Sequence, residues 1–243
     1  MSVLSPARKQ DYFASAFAPP PAADIPAVTV FPGFVVNSDE QLIREARTVA
    51  SGPADLAGDT HFRYDGTLVL DANNSLPATF VSSAYLPGGN GNGQNALYQN
   101  GIRTIGSPIS RLKIKSRPGT TATGFRISIN GAWVTIPVMR FTGLTAGGGN
   151  TIQLDWATKA RRTVRWEDSG GTGFGGMAVA LGATLTRPSE SASPIRFATL
   201  GDSYTGGAGN PPDGAGRMET YANYVAKLVG ATSFINFGIG GSG

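Results

Sequence analysis

The chain has 243 residues, 40% of them hydrophobic, which is enough for one large or two ordinary domains with a real core. Lys and Arg outnumber Asp and Glu by only 20 to 16, and no concentrated basic patch or nucleic-acid motif accompanies that excess, so a nucleic-acid partner is not expected. The absence of cysteine removes disulfides, thiolate metal sites and thiol catalysis, and with a single histidine no metal site and no cofactor are expected.

With 34 glycines and 16 prolines, the composition favours turns and short strands and predicts a mainly β fold. No apolar stretch approaches the ~20 residues of a membrane span, and the N-terminus lacks the apolar core of a signal peptide. Any route out of a cell is then expected to be something other than a cleaved signal peptide, a condition that host lysis or carriage on a virus particle satisfies.

Residues 1–59 read as an N-terminal arm followed by a short helix. "APPPAADIPA" cannot be helical through its prolines and has little to bury, so residues 1–37 are expected to be extended. Tyr12, Phe13 and Phe17 give the arm apolar groups that can dock on a partner or fray as an ordinary terminus. From Ser38, "SDEQLIREARTVAS" offers a Ser-x-x-Gln capping box, then Leu42, Ile43 and Ala46 at helical spacing, then Gly52.

Residues 60–186 change to period two and predict an antiparallel, jelly-roll-like β-sandwich. In "SRLKIKSR", Arg111, Lys113, Lys115 and Arg117 share one strand face, opposite Leu112 and Ile114, which predicts a solvated basic face or, as a minor alternative, a polyanion site. "GFRISINGAWVTIPV" places Asn130-Gly131 between two alternating runs, the sequence of a two-residue type I′ hairpin. Separate strands are expected at "TIQLDW" and "RRTVRWE", and another at "GMAVALGATLT" with Met177, Val179 and Leu181 on one face. Trp133, Trp156 and Trp166 are expected in the core, with a sugar-stacking platform as the rarer outcome. The glycine-rich stretch at 87–95 lacks the context of a phosphate loop and reads as a plain loop. His61 is expected to be structural.

"RPSESASP" at 187–194 is a polar linker without periodicity. Beyond it, residues 195–243 read as strand, helix, strand. "IRFATL" is an apolar run of the kind expected of a parallel strand buried on both faces. "GRMETYANYVAKLVG" carries Met218, Tyr221, Ala222, Val225, Leu228 and Val229 at helical spacing, with Lys227 in the last turn and Gly230 as the C-terminal cap. "SFINF" is the second strand. In such a unit the site lies at the carboxyl ends of the strands, here the Gly201-Asp202-Ser203 turn and the glycine-rich loop from Gly238 to Gly243.

These two blocks resemble the SGNH (GDSL-type) serine esterases and lipases: "GDSYT" matches their Gly-Asp-Ser turn after the first strand, and Asn236 to Gly241 matches their Asn-x-x-x-x-Gly after the second. The resemblance covers about the last fifty residues and implies a flavodoxin-like α/β domain. It implies Ser203 as nucleophile and the backbone N–H groups of Ser203 and Gly241 as oxyanion donors. The family's Gly-x-Asn-Asp block and its late Asp-x-x-His base are not found in these residues, so the 243-residue chain by itself is not expected to be a competent esterase.

The overall layout is similar to carbohydrate O-deacetylases and to SGNH-bearing bacteriophage virion proteins. It implies an esterase for O-acylated carbohydrate or lipid of a host surface, homo-oligomeric, riding on a virus particle through contacts of the arm with other virion proteins. The alternative is a structural or receptor-binding tail or head appendage whose visible region serves attachment and assembly.

Overall fold

The computed structural model describes residues 18–43, 60–65, 68–70, 81–83, 100–118, 124–135, 139–140, 149–168, 172–189, 195–201, 221–231 and 233–238. Within them the fold is mainly β, with one helix and two sheets. Twelve strands form one antiparallel sheet: β1 (Ala27–Pro32), β2 (Glu40–Ile43), β3 (Arg63–Asp65), β4 (Leu68–Leu70), β5 (Val81–Ser83), β6 (Asn100–Pro118), β7 (Gly124–Ile129), β8 (Ala132–Trp133), β9 (Met139–Arg140), β10 (Asn150–Asp168), β11 (Thr172–Ala180) and β12 (Leu185–Thr186).

Two strands of 19 residues each, β6 and β10, organise this sheet. The C-terminal part of β6 pairs with the first residues of β10, flanked by β1 on one side and by β11 and β2 on the other. The N-terminal part of β6 pairs with the last residues of β10, flanked by β3 and β12 on one side and by β7 and β8 on the other. The β6–β10 register breaks between Asp155 and Ala160 and again before Arg162. Bulges of this kind let one strand pass from one layer to the next. Both halves feed a single core: Leu112, Ile114, Ile152, Leu154 and Met177 from one, Phe125, Ile127, Ile129, Val164 and Trp166 from the other. "TIQLDW" and "RRTVRWE" are therefore one bulged strand rather than two.

The Asn130-Gly131 hairpin forms as expected, with φ of 50° and 86° and Ile129 paired to Ala132. Positive φ at both centres matches the right-handed twist of the flanking strands, and Asn130 adds a side-chain bond by accepting the Thr163 N–H at 2.9 Å.

Several expectations are corrected. The helix predicted from Ser38 is strand β2 over Glu40–Ile43, paired with Ala180–Met177 of β11; residues 44–52 lie outside the described residues. The capping box is never assembled because Gln41 donates from Nε2 to the Ala183 carbonyl at 2.6 Å, and sheet pairing overrides a weak helical pattern. The extended arm is not free over its whole length either. Residues 27–32 are the edge strand β1 on β10, so the sandwich starts well before residue 60.

That topology also corrects the solvated basic face. Because β1 and β2 flank opposite sides of the β10–β6–β11 layer, the chain joining them must cross the outside of β6. Lys113, expected in water, is 4% exposed under this crossing; its Nζ donates to Glu40 Oε2 at 2.6 Å and to the Val35 carbonyl at 3.3 Å. Lys115 sits over the Phe34 ring at 5.7 Å. Only Arg111, at 51%, behaves as predicted, while Arg117's side chain lies outside the described set. Leu181, expected inward with Met177 and Val179, is 67% exposed because the chain turns there at Gly182 (φ 81°).

Trp166 and Trp156 are core residues as expected. Trp156 donates its indole N–H to the Asp24 carbonyl at 3.1 Å, and the Arg162 guanidinium lies 4.8 Å from its ring centre. Arg162, 1% exposed, reaches Asp24 Oδ1 at 3.1 Å and donates to the carbonyls of Ala23, Ile109 and Thr158. One cation thus satisfies carbonyls left by the bulge and clamps the 3₁₀ turn Ala22–Asp24 onto the sheet. Asn130 Nδ2 donates to the second Asp24 oxygen at 3.0 Å, tying the same turn to the hairpin.

Candidate functional site at the parallel strand ends

The second sheet is the predicted unit. β13 (Arg196–Gly201) and β14 (Ser233–Gly238) pair in parallel, in continuous register from Arg196 opposite Ser233 to Gly201 opposite Gly238, and α1 (Tyr221–Leu228) lies between them in sequence. A parallel pair needs a crossover, and here the crossover contains the helix. Ala222 and Ala226 are the buried residues of α1 and pack against Phe197 and Ala231, small side chains that let the helix lie close to its strand.

The helix stops as its sequence dictates. Gly230 adopts φ 67°, its N–H donates to the Lys227 carbonyl at 3.1 Å, and the Ala231 N–H reaches back to the Ala226 carbonyl at 2.9 Å. That pair of bonds is a Schellman cap, which requires a residue tolerant of positive φ at this position. Lys227, read from sequence as a cation for the helix C-terminus, has a second role: its Nζ donates to the Gly131 carbonyl of the hairpin and lies 5.4 Å from the Trp133 ring centre. Burial pushes the Lys227 ammonium below its ordinary range, assisted by Arg165 and Arg126 against the pull of Glu167.

Tyr224 meets Trp133 edge to face at 5.8 Å, and Arg126 covers the same indole at 3.9 Å. Trp133 therefore joins the sandwich to the helix and does not offer a free platform. Nothing in the sequence paired the hairpin with α1, since no spacing rule links residues about ninety positions apart.

The continuous register sets both strand ends level. Gly201 and Gly238 are the last paired residues, and the chain leaves each of them at the same edge of the sheet. Ser203 follows two residues after Gly201 and Gly241 three after Gly238; both lie outside the described residues, as does the rest of the glycine loop. β13 is not buried on both faces as expected: Leu200 is 84% exposed.

His61 has the structural surroundings expected of it. Its Nδ1 is 2.9 Å from the Leu185 carbonyl, an arrangement in which the ring N–H donates, and its own carbonyl accepts the Thr104 hydroxyl at 2.8 Å. Among the described residues no cluster of three His, Cys, Asp or Glu side chains that could hold a metal ion occurs, and no helix is long and apolar enough to cross a membrane.

No protein-family model and no curated protein matches the chain. Solved structures do. A salicylyl-acyltransferase from a tetracycline biosynthetic pathway superposes with a TM-score of 0.55 at 14% identity, over 79% of this chain and 55% of that one. A family two carbohydrate esterase from Cellvibrio japonicus gives 0.51 at 14% identity, over 88% and 53%. A family two carbohydrate esterase from Clostridium thermocellum, in complex with cellohexaose, gives 0.50 at 16% identity, over 75% and 52%. The chain thus spans about half the length of these structures, and the likeness is one of fold.

Proposed function

We propose that this chain is part of an SGNH-type serine ester hydrolase that removes acyl groups from O-acylated carbohydrate. The observation that carries the proposal is the level ending of β13 and β14 at Gly201 and Gly238, because a parallel pair that stops in register sends both following loops to one edge, where open α/β sheets bind their ligands. Carbohydrate is favoured over lipid because two of the similar structures are carbohydrate esterases.

In the proposed reaction the Ser203 hydroxyl oxygen attacks the acyl carbon while a general base takes its proton. The N–H groups of Ser203 and Gly241 hold the resulting oxyanion, which collapses to an acyl-serine as the sugar oxygen leaves and regains a proton. Water then releases the acid by the same route in reverse order. Residues 195–243 contain no histidine, and His61 is engaged with Leu185, so the reading assigns the base to another part of the whole protein.

The experiment is hydrolysis of p-nitrophenyl acetate by the full-length protein and its Ser203→Ala variant. Loss of turnover by at least about a thousandfold is expected, the scale of removing a nucleophile. Undiminished turnover in the variant would rule out the assignment. For delivery the reading is virion attachment, supported by the sequence of the N-terminal arm and the glycine-rich β segment; the alternative is an attachment and assembly module formed by residues 1 to about 190.

A further inference from the structure

Where β6 and β10 pass between the two layers of the sandwich, the surface opens into a cleft of about 570 Å³. Its walls come from the β6 corner (Ser107–Arg111), the β10 bulge (Asp155–Lys159), the turn after β11 and the start of β2. We propose that this cleft, whose described walls belong to the large antiparallel sheet, binds a neutral oligosaccharide.

The size is that of a small-molecule site, since such pockets run from about 300 to 1,000 Å³. Charge selects the class of ligand. Arg111 donates from Nε to Asp155 Oδ1 at 2.6 Å, and the buried Lys113 neutralises Glu40 from behind. What remains is one cation and one anion, Lys159 and Asp39, neither of which makes a hydrogen bond or salt bridge through its side chain among the described residues. A cleft with balanced charge has no net attraction for an anion or a cation. It presents instead a carboxylate that accepts and cationic N–H groups that donate, the complement of a polyol whose hydroxyls do both.

Arg111 adds to this pre-formed set. Among the described residues it bonds through its Nε, and Gln153 holds Asp155 in turn through Nε2 at 2.5 Å, so the guanidinium is presented by an already ordered side chain. Ordering in advance lowers the entropy lost on binding. The apolar part is Pro108, the edge of Trp156 and Leu181, the last of them 67% exposed at the lip. Sugar rings carry C–H faces that cover such a patch while their hydroxyls meet the polar walls.

The ligand class rests on the carbohydrate-esterase reading, but the binding itself needs no nucleophile. Xylohexaose and cellohexaose, both without ester groups, are therefore titrated calorimetrically into the 243-residue chain, with hexagalacturonate as the acidic comparison. Saturable binding of at least one neutral hexaose is expected. Asp39→Ala and Lys159→Ala should each weaken it about tenfold, the effect of losing a hydrogen bond to a charged group. Both side chains lie at the surface, and an unchanged circular dichroism spectrum verifies the fold; Leu181→Asp, which removes the apolar lip, should weaken binding as well.

Ser203→Ala should bind the neutral hexaose as well as the parent does, whatever becomes of ester hydrolysis. The proposal is overturned by no saturable binding of either neutral hexaose, by equal affinity in all three cleft variants, by tighter binding of hexagalacturonate, or by loss of binding in Ser203→Ala.

Discussion

Gly201 and Gly238 face each other as the last paired residues of β13 and β14, so the two loops that follow begin side by side. In an acyl-transfer site that is where a nucleophile and a second backbone donor must converge, and glycine leaves backbone N–H groups free of a shielding side chain.

Gly241→Pro tests the second donor, because proline has no backbone N–H. Turnover of p-nitrophenyl acetate by the full-length protein should fall by about 10²- to 10³-fold, the usual effect of losing one oxyanion donor, with KM little changed. An unaltered kcat would remove Gly241 from the oxyanion hole.

The Lys113–Glu40 pair is buried on both sides, at 5% side-chain exposure each. Lys113→Met should destabilise by about 3 kcal/mol, since the Glu40 carboxylate is left under the crossing segment with, among the described residues, the Asn37 N–H at 2.9 Å as its remaining donor. Adding Glu40→Leu should restore most of that loss, because matched apolar groups replace a buried ion pair with little net change. Urea unfolding of the two variants decides it: a double variant as weak as the single one would show that the pair is not the cause.

Arg162 and Asp24 should respond unequally. Arg162→Met strips donors from four carbonyls, those of Ala23, Ile109, Thr158 and Ala160, and from Asp24 together, and a loss of about 4 kcal/mol is expected. Asp24→Asn keeps an oxygen for Arg162 and should cost only about 1 kcal/mol. Equal losses in thermal unfolding would mean that the carbonyl contacts carry nothing.

The Asp155 carboxyl gives a pH signature. Burial pushes it up, but hydrogen bonds from Gln153 and Arg111 outweigh burial and hold it below the ordinary carboxylate range. A depressed pKa contributes stability that is complete above the unfolded value of about 3.9 and is lost as pH falls through the folded value. With the side chain 32% exposed, solvent screening leaves about 0.5 kcal/mol. The stability difference between the parent and Asp155→Asn should therefore be present at pH 7 and vanish toward pH 2; a gap that persists in acid would contradict this origin.

The virion reading is tested by a deletion chosen from the fold. On the virion proposal, removing residues 1–17 should release the protein from the particle, whereas removing 1–37 also deletes β1 and the Asp24 clamp and should unfold the sandwich. Retention of the shorter deletion on the particle would count against an anchoring arm.

The sequence alone determined the elements whose signals are local. Asn130-Gly131 specified its hairpin because few other residue pairs accept positive φ twice, and Gly230 specified the helix end for the same reason. Apolar runs around a helical period were enough to read β13, α1 and β14 and to place Ser203 and Gly241 beyond the strand ends. What only the tertiary structure decided depends on residues far apart in the chain. Glu40–Ile43 became a strand because β11 offered an edge, and Lys113 was buried because the β1–β2 connection had to cross β6. The cleft at the β6–β10 corner likewise arises where two long strands change layers, and no local pattern records where such a corner closes. Periodicity reports which face of an element is apolar; it does not report what the rest of the chain will lay across the other face.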